Sequence, residues 1–179
     1  MFPAYVMNYF WPSNTRSENT NESSLPGASY NNITKYLYLG NIDSMKYVDK
    51  FALVVNCTTH IAFPEQTKPA QVFIRIPVYD DPKECANLLK YIDQTKVLEK
   101  IHFCRMSSKA VLVHCHAGMQ RSCAVIACYL MKYYKMELND AIAFIKKKRP
   151  VAFYQTANFM NAMIEFQKSL DHFTFQTPT

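Results

Sequence analysis

The sequence predicts an α/β domain with a small, mostly parallel central sheet flanked by helices. Short apolar runs alternate along the chain with stretches whose apolar residues recur at helical spacing. One run, residues 110–113, ends abruptly at His114-Cys115, and residues 122–134 beyond it are apolar on nearly every side, as in a helix enclosed by other layers. At 179 residues and 49% hydrophobic, the chain is one domain by length and large enough to bury a core.

Taken in order, residues 1–11 carry Phe2, Tyr5, Tyr9, Phe10 and Trp11 without a charge. They are too short for a signal peptide and lack its basic start. A tail so rich in aromatics is sticky unless covered, so it either packs on its own domain, stays loose, or forms a dimerising arm on a second copy. Residues 12–32, dominated by Ser, Asn, Thr, Glu and Pro, read as a linker, and the folded domain is expected over 33–170. Residues 36–39 are the first strand, a short helix lies near 44–50, and 51–56 and 72–76 are the second and third strands. The stretch 58–71, with two prolines and few apolar residues, is a surface loop. Cys85, Leu88, Leu89 and Ile92 share one helical face, in a helix that runs on to about residue 101. After the fourth strand and the apolar helix, Leu138, Ala141, Ile142 and Ile145 form a further stripe. It closes on Lys146-Lys147-Lys148-Arg149 and Pro150, a basic last turn suited to the negative helix end. Phe159, Ala162, Met163, Phe166 and Leu170 define the last helix, and 171–179 read as a loose tail.

The chemistry is expected between the fourth strand and its helix. If His116, Ala117, Gly118, Met119, Gln120 and Arg121 wrap round a point at the helix start, their N–H groups converge there and the helix dipole adds positive charge. That is a cradle for a phosphate group. Arg121 can grip two of its oxygens with a planar guanidinium, and Gly118 allows a tight turn or a close approach. Cys115, surrounded by such donors, is the expected thiolate nucleophile. His114 and Ser122 are expected to support it, one holding the loop from behind and the other donating to the sulfur. Transfer through a phosphocysteine needs an acid for the departing oxygen and then a base for water. Asp80, or its neighbour Asp81, is the candidate; the rival reading makes both of them turn residues that start a helix.

His-Cys-(five residues)-Arg-Ser resembles the signature of the cysteine-dependent protein phosphatases, and the remainder resembles their compact dual-specificity branch. Tyr36-Leu37-Tyr38-Leu39-Gly40-Asn41, Val54-Val55-Asn56-Cys57-Thr58, Ile76-Pro77-Val78-Tyr79-Asp80-Asp81 and Arg149-Pro150 are similar to family stretches, over roughly residues 33–168. Order, spacing and size are similar to the small poxvirus members. The resemblance implies a protein-tyrosine-phosphatase-like fold and Asp80 as the acid, three positions after Pro77. It further implies activity on phosphotyrosine and on phosphoserine or phosphothreonine of proteins, with no cofactor. The chain departs from the family around Thr156-Ala157, where a Pro-Asn often precedes the last helix, which leaves that entry turn open.

Other classes fit less well. His102, Cys104, His114, Cys115 and His116 are metal-ligand types, but adjacent strand residues point to opposite faces, so no metal is expected. Six cysteines (Cys57, Cys85, Cys104, Cys115, Cys123, Cys128) show no CxxC pair, which favours reduced thiols in the cytoplasm; a protective disulfide of Cys115 with Cys57 or Cys123 is the minor alternative. A net charge of +6 suits an acidic partner without choosing one, and no apolar run approaches a membrane span. An RNA 5′-phosphatase would use the same loop chemistry, but His116-Ala117-Gly118 and Arg121-Ser122 resemble the protein phosphatases. A phosphate-binding scaffold without turnover is the non-enzymatic alternative.

Overall fold

A computed structural model describes residues 28–66 and 68–174, so the proposed arm at residues 1–11 lies outside the described residues. Five strands form one sheet in the order β1-β2-β5-β3-β4. They are β1 (Tyr30–Thr34), β2 (Leu37–Gly40), β3 (Leu53–Asn56), β4 (Val72–Arg75) and β5 (Val111–His114). The last four run parallel, and β1 is antiparallel to β2. The expected sheet is therefore present, with one strand more than the sequence suggested.

That strand, β1, begins at Tyr30, inside the stretch read as linker. Its polar Asn31 hid it. Asn31 is 4% exposed, and its side-chain oxygen accepts from Arg149 Nη1 at 2.6 Å, a partner 118 residues away that no local pattern reveals.

Strand alternation divides the core in two. Leu53, Val55, Val111 and Val113 face one side, with α3 (Arg121–Tyr134) packed centrally against it. Val54 and Leu112 face the other, beneath a 3-10 helix (Ile42–Lys50) where Tyr30, Tyr38, Tyr47 and Phe51 meet edge to face at 5.4–5.8 Å. β5 is buried along its whole length, and α3 is buried from Arg121 to Met131, the all-round burial its sequence predicts.

The helix expected over 85–101 is two helices, α1 (Cys85–Thr95) and α2 (Val97–Met106), divided at Lys96 in the left-handed region (φ 50°). Apolar spacing gives the reason. Ile92 and Val97 stand five positions apart, off a single helical stripe, and the break returns Val97, Leu98 and Ile101 to the core. α4 (Leu138–Lys148) follows its stripe, and α5 (Met160–Thr174) runs into the stretch read as tail.

Candidate active site

The carboxyl ends of the parallel strands meet where β5 stops, the place at which open α/β sheets bind ligands. There Cys115 begins a loop that ends in α3. Donors outside the loop hold its carbonyls. Ile42 N–H donates to the His116 carbonyl (3.0 Å), and Phe153 N–H to that of Met119 (2.7 Å). Arg149 donates through Nη2 to the Ala117 carbonyl (3.2 Å) and through Nε to that of Gly118 (2.8 Å). With four successive carbonyls turned outward, the planar trans peptides turn the N–H groups of residues 117–120 inward. Gln120 precedes α3 and makes no side-chain cap bond, so the first-turn N–H groups of the helix face the same hollow.

Cys115 lies at the floor, fully buried. Its sulfur receives Gly118 N–H at 3.2 Å and Ser122 O–H at 3.2 Å. Burial pushes the thiols of its neighbours Cys57 and Cys123 well up, which keeps them protonated. Cys123 accordingly donates, to the Gly118 carbonyl at 3.5 Å.

Gly118 has φ +64°, and a Cβ there would stand 2.6 Å from the Gly40 carbonyl oxygen and 2.7 Å from Arg149 Nη2. The left-handed backbone alone costs a side chain about 1–2 kcal/mol. Gly118→Ala is expected to lift the loop off β2 and lower kcat/KM for an aryl phosphate about 10²-fold, the scale of an ångström-sized misplacement, with circular dichroism nearly unchanged.

The two aspartates separate cleanly. Asp81 accepts Lys83 N–H at 2.8 Å and caps the short 3-10 helix Pro82–Glu84, the turn role that the rival reading gave to both residues. Asp80 instead faces the loop. Its Oδ2 stands 3.5 Å from Arg121 Nε, an ion-pair distance without hydrogen-bond alignment, and its Oδ1 accepts Asn158 Nδ2 at 2.9 Å. Arg121 also donates to the Val78 carbonyl at 3.4 Å, so the segment before Asp80 is held against the guanidinium.

Sequence reading missed two residues of the site's frame, Arg149 and Asn158, and named Gln120 as a cradle residue without the role its side chain takes. Arg149, taken as part of a basic helix end, is 3% exposed and clamps the loop from below while gripping Asn31. Asn158 orients Asp80, donating through Nδ2 to its Oδ1 at 2.9 Å. Gln120 spends its side chain on the turn leading to α5, donating to the Tyr154 and Thr156 carbonyls (3.3 and 2.6 Å) and accepting Asn158 N–H (3.1 Å). Its backbone, not its amide, faces the hollow. The similarity of Arg149-Pro150 to family stretches was the signal available for Arg149. His116 and Ala117 are exposed at the rim, and Met119 is half-buried.

His114 is fully buried behind the loop, its Nδ1 3.4 Å from the Cys115 carbonyl and its Nε2 without a hydrogen bond. Burial is the main cause that lowers its pKa to about 4 from an ordinary 6.5, so the ring is neutral in the folded protein near neutrality. Below pH 6.5 the unfolded chain takes up a proton that the folded one refuses. Stability is therefore expected to fall between pH 6.5 and 4, by about 3 kcal/mol if the full shift is expressed. His102, lowered by burial and Arg105, adds in the same direction. Urea melts of wild type and His114→Asn across that range check this: the variant should show a flatter pH dependence.

The fold and this loop thus define a cysteine-centred oxyanion cradle with a carboxylate at its edge. The family model described as the catalytic domain of dual specificity phosphatases matches residues 37–169, and the chain belongs to that family. Among its relatives, dual specificity protein phosphatase 8 of Mus musculus is 31% identical over 152 residues, which cover 82% of this chain and 22% of that protein. The putative tyrosine phosphatase 123R of Invertebrate iridescent virus 6 is 33% identical over 141 residues, 78% of this chain and 92% of the viral one. The crystal structure of human DUSP28 superposes with a TM-score of 0.70 at 26% identity, over 83% of this chain and 99% of that one. The chain spans less than a quarter of the mouse relative and of several others.

Proposed function

We propose that this chain removes phosphate from phosphotyrosine and from phosphoserine or phosphothreonine of proteins, through a phosphocysteine. The observation that carries the reading is the Cys115 sulfur: two donors converge on it at the mouth of a helix, with Arg121 and Asp80 paired at the same loop. Cys115 attacks phosphorus while Arg121 and the inward N–H groups take up the charge spreading over the equatorial oxygens. Asp80 protonates the departing oxygen, and afterwards accepts a proton from the water that attacks the phosphocysteine. Arg121 and the N–H groups supply the positive field themselves, so no step calls for a cofactor. Ser122, which donates to the sulfur, eases its departure in the second step.

A panel of phosphotyrosine peptide, phosphothreonine peptide and triphosphate-ended RNA tests the assignment. Both peptides are expected to turn over, the RNA more slowly. A faster rate on RNA would reverse the substrate class.

The site of action we propose is the cytoplasm, a reading supported by six unbridged cysteines. Among the described residues no helix is long and apolar enough to cross a membrane. Residues 1–11 are proposed to join two copies; a mass in solution that is unchanged on removing residues 1–28 would refute that.

A further inference from the structure

At the end of α3 away from Cys115, a groove of about 750 Å³ opens between α1, the start of α2, the end of α3 and α5. Its floor is apolar: Leu89, Ile92, Leu98, Met131, Phe166 and Leu170. Its rim reverses the charge of the molecule. Asp93, Glu99, Glu137, Glu165 and Asp171 border it with Lys132 and Lys135, and Lys96, outside the lining, pairs with Asp93 at 2.5 Å, so carboxylates still outnumber cations there in a chain whose net charge is +6. Lys132 is already paired with Glu99 at 2.6 Å.

Two helices link this groove to the catalytic end. α1 starts beside the acid's support, with Cys85 Sγ 3.7 Å from the Asn158 carbonyl, and reaches the groove at Asp93, about 12 Å along its axis. α5 begins two residues after Asn158 and reaches it at Glu165 and Phe166. A neighbouring segment of a polypeptide held by its phosphate at Cys115 can therefore follow these two helices to the groove.

We propose that the groove is a docking site for a basic, apolar segment of the phosphoprotein substrate, Lys or Arg meeting the carboxylate rim and Leu-like side chains filling the floor. This rests on the proposed phosphatase reading and adds to it the class of substrate. A docked segment adds local concentration without touching the chemistry, so it lowers KM and leaves kcat alone.

The test uses the full chain and three substrates: p-nitrophenyl phosphate, a short phosphotyrosine peptide, and that peptide extended through a Gly/Ser spacer by a segment of alternating Lys and Leu, at either end. The extended peptide is expected to show a KM about tenfold below the short one in one of its two orientations, the advantage shrinking in high salt. Asp93→Lys with Glu165→Lys, both exposed and remote from the loop, should erase the advantage while turnover of the other two substrates holds. Equal KM values for short and extended peptides would overturn the proposal, and this is also the outcome if residues 1–11 or a second copy already fill the groove. An advantage that survives the double charge reversal would overturn it as well. Loss of all turnover on Cys115→Ser, measured on the short peptide, tests the catalytic reading independently.

Discussion

Replacing Cys115 by serine is expected to abolish hydrolysis of p-nitrophenyl phosphate, by about 10⁴-fold or more in kcat, while binding of inorganic phosphate or an unreacted phosphopeptide changes little. The carbonyl anchors from Ile42, Phe153 and Arg149, and with them the inward N–H groups, do not involve the Cys115 side chain. Binding therefore survives. A serine hydroxyl keeps its proton at neutral pH, and the surroundings of Cys115 supply donors, Gly118 N–H and Ser122 O–H, rather than a base to remove it. Isothermal titration with phosphate alongside single-turnover kinetics checks both halves. A serine variant that still turned over would remove Cys115 from the reaction.

Asp80→Asn is expected to slow the first step by roughly 10²–10⁴-fold, the usual worth of a positioned proton donor. The size of the loss should depend on the leaving group. A p-nitrophenolate departs without much help, whereas the alkoxide of phosphoserine or phosphothreonine needs the proton. The defect is accordingly expected to be smallest on p-nitrophenyl phosphate and largest on a phosphothreonine peptide. Asp81→Asn should lose little activity, because Asn caps the 3-10 helix nearly as well as Asp. Should Asp81→Asn show the graded defect and Asp80→Asn not, the acid has been assigned to the wrong neighbour. Asn158→Ala is expected to produce a weaker copy of the Asp80 defect, since it frees the carboxylate without removing it.

What the sequence disclosed and what it concealed divide along sequence distance. The strand, loop and helix around Cys115 were legible because their evidence is local: an apolar run, a Cys and an Arg six positions apart, and a helix apolar all round. The clamp was not. Arg149 reaches Gly118 across 31 residues and Asn31 across 118, and in sequence it is one more basic residue at a helix end. Asp80 and Asp81 are indistinguishable as letters. Only the family resemblance, three positions after Pro77, favoured Asp80; the structure adds that Asn158, 78 residues away, hydrogen-bonds it while the backbone of Lys83 occupies Asp81. The strand at Tyr30–Thr34 was hidden for the same reason, its buried Asn31 being held by Arg149, whereas the break at Lys96 was legible in the five-residue step from Ile92 to Val97 and was read through.

The most direct measurement is to quench the Asp80→Asn enzyme at a series of times after mixing with labelled p-nitrophenyl phosphate, whose leaving group depends least on the acid, and to map the label by mass spectrometry after digestion at neutral to alkaline pH. The slowed water attack should leave phosphate on the peptide that holds Cys115, in stoichiometric amount and absent from the Cys115→Ser counterpart. Label on another residue, or hydrolysis with no labelled peptide at any time, would contradict a phosphocysteine at this loop.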